Sequence, residues 1–357
     1  MKVLTVVGNR PQFVKAAAVS GVLRGVHDEV LVHTGQHYDD ALSGVFFREL
    51  GLARPELELG IGGGSNASQV ERMVGALAGV LAEVEPDALL VYGDTNSTLA
   101  GARAGDVAGV PVVHVEAGMR SFDLEMPEEV NRIATDRLSS LLLCSSEVGR
   151  ENLLREGADG RAVVVGDVMV DVALRWQPRA RERTADVARE YGVEPGGYVL
   201  ATAHRAGNVD DPGRLGELFR LLCAIALRTP VVFPVHPRTR ERLLAAGLWE
   251  GLLGAEGVHV AEPLGYAEFT ALLCGARAML TDSGGVQKEA YLAGVPCVTL
   301  RPSTEWVETV ESGWNTLVDL DLAAALRALE RAAPLERAPL YGDGHAAERC
   351  VAAIGEL

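Results

Sequence analysis

Two acidic residues stand directly behind apolar runs: Asp94 follows "ALLVYG" and Glu116 follows "VPVVHV". An unpaired carboxylate is costly to bury at such a place, and clustered carboxylates raise one another's pKa, which prepares one of them to hold or release a proton. Glu128, in "MPEEVNR", opens the helix-like stretch that follows. A carboxylate there suits the helix dipole as well as proton transfer, and both roles stand. His204 and Arg205 follow another apolar run, in "YVLATAHR", and His236 and Arg238 follow "VVFPV". Acids and imidazoles in such positions suit general acid and base chemistry.

Other residues suit an anion. In "GNRPQFVK" a strand ends at Val7, Gly8 turns the chain, and Pro11 fits a first helical turn. Arg10 and Lys15 then flank a helix start, where two cations suit a diphosphate, although a solvated Arg and Lys would look the same. In "ARAMLTDSGGVQKEA" an apolar run breaks at Asp282, Ser283, Gly284 and Gly285 before a helix-like segment that carries Glu289. Free N–H groups and the helix dipole favour an anion at that break, and glycines let a phosphate come close. Ser283 as a plain helix cap is the alternative. Two further patterns are weak. "GIGGGSNAS" has Ser65 where a dinucleotide fingerprint needs its third glycine, and the preceding "PELEL" is too polar for a central parallel strand, so a mobile loop is expected. His33 and His37 lie at a strand end and loop rather than on one helix face, and no metal site is expected.

All of these residues must be held by strand ends. Apolar runs alternate with amphipathic stretches, "KVLTVV", "EVLVHT", "DALLVYGD", "VPVVHVEAG" and "LLLCS", then "YVLATAH", "VVFPVHP", "GVHVAEP", "ARAMLTDS" and "VPCVTLR". Alternating βα units imply parallel sheets, and ligands bind at the carboxyl ends of their strands. The charged stretch "DVALRWQPRARERTADVAREYGVEPGG" separates the two series and reads as a joint. The expected fold is α/β: two Rossmann-like, doubly wound domains facing a cleft, an N-terminal one over 1–172 and a C-terminal one over 173–342.

Composition narrows the partners. With 33 Lys and Arg against 49 Asp and Glu, the net charge of −16 argues against nucleic acid but leaves a small phosphorylated ligand, which needs only local cations. Five scattered cysteines in apolar contexts read as reduced core residues of a cytoplasmic protein. "MKVLTVVGNRP" is too short for a membrane span and has no signal-peptide cleavage pattern, so no membrane partner is expected.

"GNRPQFVK", "GDTNSTLAGA", "HVEAGMRS…PEEVNR", "HR", "TDSGGVQKEA" and "YGDGHAAERCV" occur in this order along essentially the whole chain. Together they resemble the non-hydrolysing UDP-N-acetylglucosamine 2-epimerase family. The resemblance implies the two-domain glycosyltransferase-B architecture, a homodimer, and a last helix, 343–357, that packs back on the N-terminal domain. It implies that Ser283, Gly284 and Gly285 bind the UDP diphosphate, that Glu289 holds the ribose hydroxyls, and that Asp94, Glu116, Glu128 and His204 carry the proton chemistry. Arg10 and Lys15 match the family's N-terminal basic pair; Arg205, His236 and Arg301 are further candidates to contact the substrate, and Arg205, Arg238, Lys288 and Arg301 are cations that a sugar carboxylate would need. The implied reaction is elimination of UDP to give 2-acetamidoglucal, then re-addition with inverted C2, with no cofactor. "GQHYDD" and "GGGSNASQ" carry Tyr38 and Asp39 and no Arg, unlike allosteric bacterial members, which argues against a regulatory second site. "HTGQHYD", "QKEAY" and "TEWVE…GWN" resemble the branch acting on UDP-2,3-diacetamido-2,3-dideoxyglucuronate, while "HRAGN" with Gly207 departs from that branch's "HRAEN". A UDP-sugar glycosyltransferase and a non-catalytic nucleotide-sugar sensor remain alternatives, because fold alone does not choose function.

Overall fold

The structure, a computed structural model, describes residues 1–36 and 50–357. His37, Tyr38 and Asp39 lie outside them. The described chain divides into two compact units, one made of Met1–Leu174 with Pro339–Leu357 and one of Arg175–Ala338.

The first unit holds a parallel seven-stranded sheet in the order β3-β2-β1-β4-β5-β6-β7, made of β1 (Lys2–Val7), β2 (Asp28–His33), β3 (Leu57–Glu58), β4 (Ala88–Tyr92), β5 (Val112–Ala117), β6 (Leu141–Cys144) and β7 (Arg161–Val164). The central strands β4, β5 and β6 are buried throughout, which is why they read as unbroken apolar runs: helices cover both faces. The edge strand β3 is the polar "LE". The helices are α1 (Arg10–Leu23), α2 (Asn66–Val84), α3 (Asn96–Ala108), α4 (Pro127–Leu138), α5 (Glu147–Glu156) and the start of α6 (Val168–Glu190). The expected joint is therefore helical, and Pro178 inside α6 has no N–H to give the carbonyl four residues back, at Leu174, where the first unit ends.

The second unit repeats the plan with six parallel strands ordered β10-β9-β8-β11-β12-β13: β8 (Val199–Thr202), β9 (Val231–Pro234), β10 (Val258–Ala261), β11 (Ala278–Thr281), β12 (Cys297–Thr299) and β13 (Asn315–Leu317). Its helices after α6 are α7 (Ala206–Val209), α8 (Pro212–Ala226), α9 (Pro237–Ala245), α10 (Trp249–Leu253), α11 (Tyr266–Gly275), α12 (Gly284–Ala293), α13 (Val307–Glu311) and α14 (Leu322–Glu330). Two apolar clusters sandwich this sheet, one built on Leu218, Leu222 and Phe233, the other on Phe269, Leu272 and Met279. Both units thus have the expected Rossmann-like α/β class.

The last helix, α15 (Ala346–Ile354), belongs to the first unit and packs on α1. Asp171 accepts the first backbone N–H groups of α15, from Ala346 at 3.1 Å and Ala347 at 2.7 Å. Burial pushes the Asp171 carboxyl above its ordinary value against the pull of those two bonds. Among the described residues no helix is long and apolar enough to cross a membrane. All five cysteines are free thiols, and burial raises the buried Cys144 and Cys297 to about 12.

Candidate functional site

In each sheet the strand order reverses direction between the first and fourth strands of its series, β1 and β4 in one unit, β8 and β11 in the other. The crevice outside the carboxyl ends of such a strand pair is where open α/β sheets bind ligands. In the first unit that crevice is flanked by Asn9 and Arg10 after β1 and by Gly93 and Asp94 after β4. Asn9 is extended and caps α1, accepting from Gln12 N; Gln12 in turn donates to the Tyr92 carbonyl at 3.0 Å, tying the ends of β1 and β4 together. Pro11 occupies the first turn, where a missing N–H costs nothing.

Glu116 is one residue short of the end of β5, and the β5–β6 register shifts between Val115 and Ala117. That bulge puts Glu116 at φ +74°, a left-handed conformation in which a non-glycine residue is strained. The bulge re-aims the side chain, and its carboxylate pairs with Lys15 from the second turn of α1. Lys15 and Glu116 are each 8% exposed, so the ammonium is engaged inside the unit rather than solvated. The pair lies against Gly93: a Cβ there would stand 3.0 Å from Lys15 Nζ and 3.4 Å from Glu116 Oε2, and Gly93 is itself at φ +65°.

Asp94 is half-buried and pairs with Arg132 of α4, whose guanidinium also holds Glu129. Glu129, fully buried, accepts from Ser121 N, Ser121 Oγ and Phe122 N, each at 3.0 Å, and so fixes the loop leading to α4. Asn131 donates to the Asp94 carbonyl at 3.1 Å. The two acids are therefore each paired with a cation, Glu116 with Lys15 and Asp94 with an Arg132 that it shares with Glu129. Glu128 is half-buried in the first turn of α4, where its charge suits the helix dipole.

In the second unit Asp282 is the organising group. Fully buried after β11, it accepts from His204 N at 3.0 Å, Arg205 N at 3.0 Å and Asn208 Nδ2 at 3.2 Å, with His204 Nδ1 at 3.4 Å. The His204 ring stacks on His236 at 5.2 Å, and His236 accepts from Arg238 N to cap α9. Arg238 is taken up by Asp210. Ser283 stands at the cap position of α12 but makes no side-chain cap bond. Its hydroxyl is thus not spent on the helix, which weakens the plain-cap alternative. Glu289 is half-buried on the same helix.

The two glycines differ. Among the described residues a Cβ at Gly285 would meet nothing within 4 Å beyond its own helix turn, whereas one at Gly284 would lie 1.9 Å from Glu305 Oε1. Glu305 thus packs where a Cβ on Gly284 would stand, a reason for glycine beside the approach of a phosphate. Glu305 pairs with Arg301 at 3.0 Å and both are buried; Lys288, fully buried, lies 4.0 Å from the Trp306 ring. Gly284→Ala is expected to lower stability by about 1–3 kcal/mol through overpacking, read as a drop in Tm.

A sequence profile of the UDP-N-acetylglucosamine 2-epimerase family matches residues 24–355. The chain belongs to this family. It is an isomerase by that membership. The UDP-2,3-diacetamido-2,3-dideoxy-D-glucuronate 2-epimerase of Pseudomonas aeruginosa is 43% identical over 100% of both chains. The UDP-N-acetylglucosamine 2-epimerase of Methanocaldococcus jannaschii is 38% identical over 98% of both. A crystal structure of the Methanocaldococcus jannaschii epimerase in complex with UDP-GlcNAc and UDP has a TM-score of 0.94 to this chain, at 37% identity and full coverage of both.

Arg132, the partner of Asp94 in the candidate site, was not singled out in the sequence. Arg132 stands three residues after Glu129, an acid-then-base spacing along one helix face that could have flagged it. The glycine-rich loop is also less isolated than its sequence suggests. Arg72 of α2 folds back onto the carbonyls of Gly62 and Gly63, and Ile61 N donates to the Thr34 carbonyl at 2.7 Å. The loop expected to be mobile is thus held by bonds to Arg72 and to Thr34. His33 packs on Phe13, with ring centroids 5.3 Å apart, and burial lowers its pKa.

Proposed function

We propose that the protein interconverts UDP-N-acetylglucosamine and UDP-N-acetylmannosamine by eliminating UDP and adding it back. The observation that carries this is the pair of acids at the ends of β4 and β5, each paired with a cation: Asp94 with Arg132, and Glu116, strained on its bulge, with Lys15. In the elimination the C2–H bond breaks and its proton passes to a carboxylate. The electron pair forms the C1=C2 bond, and the C1–O bond breaks with its pair leaving on the β-phosphate of UDP. The C2 hydrogen is not beside a carbonyl, so departure of UDP must run ahead and leave positive charge on the ring. Stabilising the diphosphate and that charge is then the main catalytic term. Inversion requires the proton to return to the other face of C2, for which two separately held acids are suited. The sequence is redox-neutral and calls for no electron carrier.

In this proposal Asp94, Glu116, Glu128 and His204 handle protons and ring charge. Ser283, Gly284 and Gly285 at the start of α12 take the diphosphate, Glu289 the ribose, and Arg10, Arg205, His236 and Arg301 are the further polar contacts of the UDP sugar. Lys15 serves by holding Glu116. The protein works as a cytoplasmic homodimer, a placement that the free thiols suit.

Incubation with UDP-N-acetylglucosamine in D2O, followed by NMR, tests the chemistry. The product should carry deuterium at C2, with slow release of 2-acetamidoglucal; a product that keeps its original hydrogen sinks the elimination route. A second substrate is favoured by the 43% identity to the diacetamido-glucuronate enzyme. A desolvated pair between a sugar carboxylate and a cation such as Arg301 contributes roughly 1.5–3 kcal/mol, or about 10- to 150-fold in kcat/KM. If the uronate is the true substrate it should win the competition in the same tube by at least that factor.

A further inference from the structure

Asp136 of α4 is 1% exposed, and nothing in the proposed chemistry uses it. Its two oxygens are divided between partners. Oδ1 lies 2.7 Å from His114 Nδ1; Oδ2 lies 2.7 Å from Arg120 Nη1 and accepts from Gly118 N at 3.2 Å. His114 and Gly118 stand two residues before and two residues after the bulged Glu116. The other ring nitrogen of His114 lies 2.7 Å from the carbonyl of Gly93, the residue that precedes Asp94. A carbonyl only accepts, so that nitrogen carries a hydrogen. One buried carboxylate therefore holds the side chain of His114 on one side of Glu116 and the backbone of Gly118 on the other and, through the His114 ring, the peptide that leads into Asp94.

A parallel strand does not need such a cluster to pair. β5 and β6 are in register up to Val115 and pair again at Ala117, so the polar groups gather only where the ladder is interrupted. A buried ionic group is seldom more stabilising than an apolar one of equal volume, which removes bulk stability as a sufficient reason for three of them here. Arg120 is in turn gripped by Glu156 at 2.7 Å and 2.8 Å. Burial alone would raise the Asp136 carboxyl, but His114 and Arg120 more than offset it and hold it below its ordinary range, consistent with an acceptor on both oxygens.

We infer that Asp136 is a positioning residue which, through His114 and Gly118, holds Glu116 and Asp94 in fixed relation to each other. The inference rests on the epimerase reading, in which a proton is taken by one acid and returned by another. A shift of about 1 Å in either acid is enough to cost on the order of 10² in rate. When the acid that must return the proton is misplaced, the glycal has longer to escape.

The measurement is therefore 2-acetamidoglucal released per molecule of epimer formed, followed by NMR in D2O together with kcat and KM. Asp136→Asn should raise that ratio about tenfold or more and lower kcat by a similar factor, with KM within about threefold of the original. His114→Phe, which keeps a ring but loses both contacts, should do the same. His114→Gln, which keeps a donor for Gly93, should recover part of the loss. The ratio counts events per turnover and does not depend on how much of the sample is folded. Should Asp136→Asn fail to fold, the two His114 variants decide alone. An unchanged ratio in folded variants overturns the inference while leaving the epimerase reading intact; absence of C2 exchange in the unsubstituted protein overturns both.

Discussion

Glu116→Gln is expected to lower turnover on the UDP sugar by a factor on the order of 10² or more, and Asp94→Asn by a similar factor. The amides keep the shape of each side chain and its hydrogen-bonding reach but neither hold the proton nor counter ring charge. Glu116 is the more telling of the two, since its backbone already stands at φ +74°. A side chain in that region costs of the order of 1–3 kcal/mol, which a fold retains only where the surroundings compel it. Glu116→Gly should relieve that strain yet abolish activity, separating the backbone's preference from the chemistry's. Lys15 loses its counter-charge in both Glu116 variants, so Tm and UDP affinity must be followed alongside turnover. Near-normal rates in Glu116→Gln and Asp94→Asn would return both acids to structural status.

Asp282→Ala should be as damaging, by another route. The buried carboxylate accepts from three donors of the β8–α7 turn, and its loss removes the acceptor of the His204 and Arg205 N–H groups, while the Asn208 amide keeps its bond to the Leu300 carbonyl. The expected cost is about 3 kcal/mol or more in denaturant unfolding, with a collapse of turnover because His204 and Arg205 are no longer held. Asp282→Asn keeps one acceptor oxygen and should retain part of both. A stable, fully active Asp282→Ala protein would show that the turn is organised by something else. The glycine pair gives a contrast: Gly285→Ala meets nothing among the described residues beyond its own helix turn and should leave Tm unchanged while weakening UDP binding, whereas Gly284→Ala should act on Tm through Glu305.

The strands most legible in the sequence are the central ones, buried on both faces. "ALLVY", "LLLC" and "AMLT" are apolar because nothing else is tolerated there. β3, β7 and β13 escaped notice because they are short and partly exposed: two, four and three residues with few buried positions. An acid behind an apolar run marked Asp94 and Glu116 as candidates, since burying a lone carboxylate there is expensive. Their cations were harder to read. Arg132 lies 38 residues from Asp94, and Lys15 lies 101 residues from Glu116, so only the sheet order brings each pair together. His114 did leave a mark, a polar residue inside "VVHVEA", but strand alternation hides such residues until the neighbouring helix is placed. Gly284 has a second reason that the sequence pattern did not carry: beside a phosphate's approach, the packing of Glu305 also leaves no room for a Cβ.

The position of α15 has a consequence for the order in which the protein is made. The second unit is one unbroken stretch, Arg175–Ala338, while the first is built from both ends of the chain. Chains emerge from the ribosome N-terminus first, at about 5–20 residues per second. α1 is thus among the earliest helices to appear, and its partner α15, which buries Cys350, Val351 and Ile354, is the last. Throughout synthesis of the second unit the face of α1 that α15 will cover stays open, as does the carboxylate of Asp171 that waits for the N–H groups of Ala346 and Ala347. The second unit is free to complete its sheet while the nascent first unit is still held unfinished, and ribosomes stalled before Tyr341 would carry a chain that exposes this seam.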